Sequence, residues 1–217
     1  TGSGGDGRVV LSGITAGDPL GSLVAPIASL RGAARFAALA NLTLGDIASD
    51  GRLEGDSLSN LKVNGDALGD LQLSGRGASG YVLGNAQVGG AIAGLWSISG
   101  RAYNISAQST RADWRANISA SLTALVVQGD AAGQLATPAL QFLQVAGSLR
   151  GMTLRIGADL GSDATLGGSG SAADRFGAGT LARLRVNGDI VDSLIVVGID
   201  PGNGAYFDGD DRQLGSS

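Results

Sequence analysis

At 217 residues, 43% apolar and only 4% aromatic, the chain can bury a core, but one made of Leu, Val, Ile and Ala. A net charge of −4 with Lys62 as the single lysine leaves no basic patch for phosphates, which excludes nucleic acid as a partner. Without cysteine or histidine, disulfides, thiolate metal sites and Ser-His-Asp or Cys-His catalysis are excluded, and no run nears ~20 apolar residues, so no membrane span is expected.

The 38 glycines far exceed the usual share of about 7%. They show no collagen period and are interleaved with aliphatics, which speaks against a disordered linker. Such glycines serve a backbone that turns with positive φ or passes close to a neighbour.

In chain order, Thr1-Gly2-Ser3-Gly4-Gly5 does not read as a signal peptide and looks like a processed or cut end. Residues 27–42 place Ile27, Leu30, Ala34 and Ala38 at helical spacing behind Pro26, so a short helix is one reading; two Ala-rich strand-bearing coils are the preferred one. From there a phrase recurs: two aliphatics one residue apart, then glycine, often followed by aspartate. It appears as Leu61-Lys62-Val63-Asn64-Gly65-Asp66, Leu71-Gln72-Leu73-Ser74-Gly75 and Trp96-Ser97-Ile98-Ser99-Gly100. It returns as Leu125-Val126-Val127-Gln128-Gly129-Asp130, Leu143-Gln144-Val145-Ala146-Gly147, Leu184-Arg185-Val186-Asn187-Gly188-Asp189 and Leu194-Ile195-Val196-Val197-Gly198. The alternation of inward aliphatic and outward polar residue is the period of a strand with one buried face. Val126 and Ile195 occupy outward places in this reading and hint at a second covered face.

Strands of three to five residues cannot form a sheet alone, but stacked coils let each pair with its equivalent above and below, about 4.8 Å away. Spacings of ten or eleven residues between phrases suit one face plus a corner, giving coils of two or three faces and ~20 to 30 residues. The expected fold is all-β: a right-handed parallel β-helix, or β-solenoid, with short strands and Gly-rich corners over residues 1–198. Residues 161–179 read as a glycine-rich corner excursion, and residues 199–217 as an acidic Gly/Asp-rich loop or tail.

The phrases at Leu181 to Asp189 and Leu194 to Gly198, with the acidic insertion at Asp200 to Asp211, resemble the glycine-rich β-solenoid repeats of very large bacterial surface proteins, notably of planctomycete-like bacteria. That resemblance implies an extracellular or cell-surface bacterial module cut from a longer polypeptide, with no implied activity.

The densest candidate site is the stretch 200–211. Calcium takes six to eight oxygens in a loop that bends tightly. Asp200, Asn203, Asp208, Asp210 and Asp211, with Gly202, Gly204 and Gly209 between them, are the candidate ligands, although the spacing is not that of an EF-hand; a solvated acidic turn is the plainer reading. Trp96, Tyr103 and Trp114 form a local aromatic group that packs in the core or stacks on a sugar. The Gly-Asp pairs at 45–46, 65–66, 129–130 and 188–189 read as turn caps, each Asp accepting backbone N–H groups after a left-handed glycine. Asn41, Asn104 and Asn117 match the glycosylation acceptor pattern, read as chance.

The sequence therefore points to a non-enzymatic structural or adhesive module. Its partners would be neighbouring repeats of a longer chain, a second copy joined end to end, or surface glycans. A carbohydrate-active β-helix enzyme using carboxylates and a calcium-dependent binding module are the alternatives.

Overall fold

The computed structural model describes residues 9–77, 79–202 and 204–215. Its fold is all-β, with a 15-stranded sheet as the main element. Every pairing within that sheet is parallel. Successive strands alternate between two ladders. The first ladder runs from residues 58–63 through Leu83–Val88, Ala102–Ala107, Ser121–Val127 and Ala139–Val145 to Leu184–Val186. The second runs from residues 52–55 through Asp70–Leu73, Leu95–Ile98, Arg115–Ile118, Ala131–Thr137 and Leu149–Ile156 to Leu194–Val197.

The chain passes over itself after a nearly constant interval. Ala102 pairs with Leu122, and Leu122 in turn with Leu140. In the second ladder Trp96 pairs with Ala116 and Leu135 with Leu154, at much the same spacing. One such interval, a rung, carries one strand of each ladder. Two rungs are longer, those in which Leu58 pairs with Leu83 and Leu143 with Leu184. The surplus leaves the stack between the ladders, at residues 74–81 and 157–178. The extended run Leu20–Val63 obeys the common interval, since the Asn64 N–H donates to the Leu44 carbonyl and the Gly65 N–H to that of Gly45.

Register decides what is buried. Leu58, Leu61 and Val63 lie under Leu83, Ala86 and Val88, then under Ala102, Ile105 and Ala107, then Leu122, Leu125 and Val127, all at most 3% exposed. Each leucine so buried contributes about 1.5–3 kcal/mol. Within a rung, volume is balanced: the rungs holding Trp96 and Trp114 carry Ala86, Ala102 and Ala107 on the first ladder. The two indoles meet edge to face, centroids 6.4 Å apart.

Three expectations are refined. Residues 27–42 are strand and not helix, and Ala28, Leu30, Ala34, Phe36, Leu39 and Leu42 are all buried. The phrase at 194–198 sits one residue out of the expected register. Ile195 pairs with Leu154 and Val197 with Ile156, so Leu194 and Val196 take the outward places; Val196 is covered there at 5% exposure, while Val197 in the end rung is 39% exposed. Four consecutive aliphatics read alike in either register, and only the ladder beneath chooses. Finally, the excursion at 161–179 is packed down. Its Leu166 and Phe176 join Ala136, Ala158 and Leu160 in a second small apolar cluster on the outer side of the second ladder.

Candidate functional site

Among the described residues, three of the four Gly-Asp pairs add side-chain bonds between rungs to those of the backbone ladders. Asp46 Oδ1 accepts the Asp66 N–H at 3.0 Å, Asp66 Oδ1 the Ala91 N–H at 2.8 Å, and Asp130 Oδ1 the Ser148 N–H at 2.8 Å. Each carboxylate thus caps the bend of the next rung, 18 to 25 residues away, and not its own turn. Ser148 continues the column, its hydroxyl accepting the Asp189 N–H. The glycines before these aspartates are not left-handed: Gly45, Gly65, Gly129 and Gly188 all lack positive φ. Gly65, Gly129 and Gly188 lack room for a side chain. A Cβ on Gly65 would overlap the Asp46 carboxylate, and one on Gly147 the carboxylate of Asp130. The Ser148 N–H holds Asp130 below the usual carboxylate range.

In the acidic tail the structure gathers part of the expected ligand set. Carboxylate oxygens of Asp208, Asp210 and Asp211 lie within 4.8 Å of one another. Asp200 is not in that group. It sits in a short antiparallel pair with Arg212, and its Oδ1 accepts the Gly202 N–H at 3.1 Å. Asn203 lies outside the described residues. Asp211 Oδ2 also accepts the Phe207 N–H at 2.5 Å. Three carboxylates supply about half of the oxygens calcium takes, so the residues fit the ion only with carbonyls or water completing the shell.

Beside that loop lies a polar cluster without a sequence signature. Arg155 points outward from the second ladder, and its guanidinium carbon rests 5.8 Å from the Tyr206 ring centroid while one terminal nitrogen donates to Gln134. Arg155 Nε, Asp174 Oδ1, Tyr206 Oη and Asp211 Oδ1 are buried without a hydrogen-bond partner among the described residues. Burial raises the Asp174 and Tyr206 pKa values and lowers that of Arg155. The excursion, tail and second ladder meet here. Asp174 and Tyr206 come from irregular segments, whose positions no periodicity encodes.

The aromatic group separates. Trp96 and Trp114 are 1% and 0% exposed, so neither can stack on a sugar. Tyr103 is 45% exposed and pairs edge to face with Tyr81, centroids 5.4 Å apart, with Arg101 over the Tyr81 ring. Asn117 is also buried, at 2% exposure. Its amide donates to Asp159 Oδ1 and the Gly161 carbonyl, and its Oδ1 accepts the Leu160 N–H, each at 2.8 Å. It ties the excursion to the stack and is closed to glycosylation in the fold.

The two ladders present different outer chemistry. The second carries ion pairs: Arg35 with Glu54 at 2.7 Å, and Arg52 with Glu54 and Asp70 at 3.4 and 3.3 Å. The Arg35 hydrogen bond lowers the Glu54 pKa. The first carries neutral amides. Asn60 Nδ2 donates to Asn41 Oδ1 at 3.1 Å and Asn85 Nδ2 to Asn60 Oδ1 at 3.3 Å, with Asn104 next in register. No sequence signal singles out this column, because its alignment exists only once the rung length brings the asparagines into register. Set against protein-family models, curated proteins and solved structures, the chain matches none.

Proposed function

We propose that the chain is a right-handed parallel β-solenoid with Gly-rich corners, acting as a non-enzymatic structural or adhesive module of a secreted or cell-surface bacterial protein. The observation carrying this reading is the parallel register, which runs from Val9 opposite Ala28 to Val197 opposite Ile156. Each rung hands its backbone hydrogen bonds and core side chains to the next, so length is gained without a unique site. Among the described residues, the end rungs leave strand edges unpaired and apolar residues exposed, including Val24 and Ile27 at one end and Ile190 at the other. Neighbouring repeats of a longer chain, or a second copy joined end to end, are the partners this suits.

The test is to change the rung number. Removing residues 121–138, one full rung, leaves every later strand in register. The shortened protein is expected to melt cooperatively and to lose about 4.8 Å of length by small-angle scattering. Removing only residues 121–129 is expected to abolish folding. Equal stability of the two deletions, or turnover on a glycan panel, would sink the reading.

A second reading rests on the carboxylates of Asp208, Asp210 and Asp211: the tail binds calcium and stabilises the module when loaded. A calcium-dependent rise in melting temperature, absent from the Asp208→Asn, Asp210→Asn double variant, is the expected result. Identical melting with calcium and with chelator in the unaltered protein would refute it.

A further inference from the structure

We propose that the first ladder carries a groove for a linear acidic oligosaccharide lying along the stack, with Lys62 meeting the sugar's anionic group. This deepens the adhesive reading and rests on it.

The groove is a trough of about 380 Å³ crossing four rungs. One wall is the column Lys62, Gln87 and Ser106, residues paired strand to strand. The other wall is Asn64, Gln108 and Gln128, from the bends that follow the same strands. Gly89 stands in that second row without a side chain, where a Cβ would meet the Asn64 carbonyl, so the trough stays open there. Asn64 is held in place by its Nδ2 donating to the Pro26 carbonyl at 2.9 Å.

Three features select the ligand. First, no carboxylate lines the groove, and Lys62 has no ion-pair partner among the described residues. An unpaired ammonium beside neutral amides favours a sparsely anionic ligand. A nucleic acid, with a phosphate on every unit, would need several cations. Second, amides both donate and accept, which matches the vicinal hydroxyls of a sugar. Third, the groove runs along the stack, so its polar groups repeat at about 4.8 Å, close to the advance of one pyranose in an extended glycan. An extended peptide advances only about 3.3 Å per residue and would fall out of step.

Titration calorimetry with cellotetraonate, which carries one terminal carboxylate on an otherwise neutral chain, and with neutral cellotetraose as comparator, tests this on the full chain. Cellotetraonate is expected to bind, more weakly as salt rises. Lys62→Met is expected to weaken it about tenfold, the scale of one charge-assisted hydrogen bond. Gln87→Ala with Gln108→Ala should weaken it further, while Arg52→Met on the other ladder should leave it unchanged. Melting curves of the variants establish that the fold is retained. Absence of cellotetraonate binding, binding untouched by Lys62→Met, or equal affinity for the neutral sugar would each overturn the proposal. The rung deletions report on the scaffold separately, so failure here leaves that reading standing.

Discussion

Gly65 and Asp46 illustrate how this chain uses its commonest small residue. The glycine's missing Cβ is the space into which the aspartate below reaches to accept the Asp66 N–H. Gly65→Ala is therefore expected to destabilise the protein by about 1–3 kcal/mol through overlap with that carboxylate. In the background of Asp46→Ala the same substitution should cost clearly less, because the obstructing group is gone. A denaturant-melt double-mutant cycle measures this, and additive effects would contradict the argument.

Among the elements, the 157–178 excursion depends most on a single side chain. Asn117 makes three hydrogen bonds to it from a buried position on the second ladder. Asn117→Ala leaves the buried Leu160 N–H without an acceptor, at an expected cost of about 1–3 kcal/mol. The damage should be local. Amide exchange should quicken across the excursion while the first-ladder strands Leu83–Val88 and Ala102–Ala107 keep their protection. Uniform loss of protection would mean that the excursion folds as one unit with the stack. The plain rungs need no such staple, because each is held by neighbours on both sides.

For the molecule as a whole, acid works in two directions. Glu54, through its hydrogen bond from Arg35, and Asp130, through the Ser148 N–H, have pKa values below normal. Stability from a lowered carboxylate is present above its unfolded pKa and is lost as pH falls through the folded value. Asp174 is the reverse. Burial raises its pKa, so its ionised form costs stability near neutrality and that cost is relieved as pH falls toward 4. The melting temperature is expected to drop once pH falls below the ordinary carboxylate range. Exchange protection at Ala173 and Phe176 should instead rise as pH 4 is approached from neutrality. Replacement by Asp174→Asn should remove that local rise alone; if the rise survives, Asp174 is not its source.

The alternation of aliphatic and polar residues already marked short strands, and phrases at Leu61, Leu125 and Leu143 marked residues that prove buried. Local composition suffices for this, since period-two burial is a property of a single strand. The sequence likewise placed Asp208, Asp210 and Asp211 close together, because they are neighbours along the chain. Stacking decided the rest. Whether Ile195 or Leu194 faces inward depends on Leu154 in the rung beneath, and whether Gly65 must be glycine depends on Asp46. The amide column, the groove beside Lys62 and the buried Arg155–Tyr206 contact arise only when residues one or two rungs apart are brought side by side. Rung length, short from Leu122 to Leu140 and long from Leu143 to Leu184, sets those meetings.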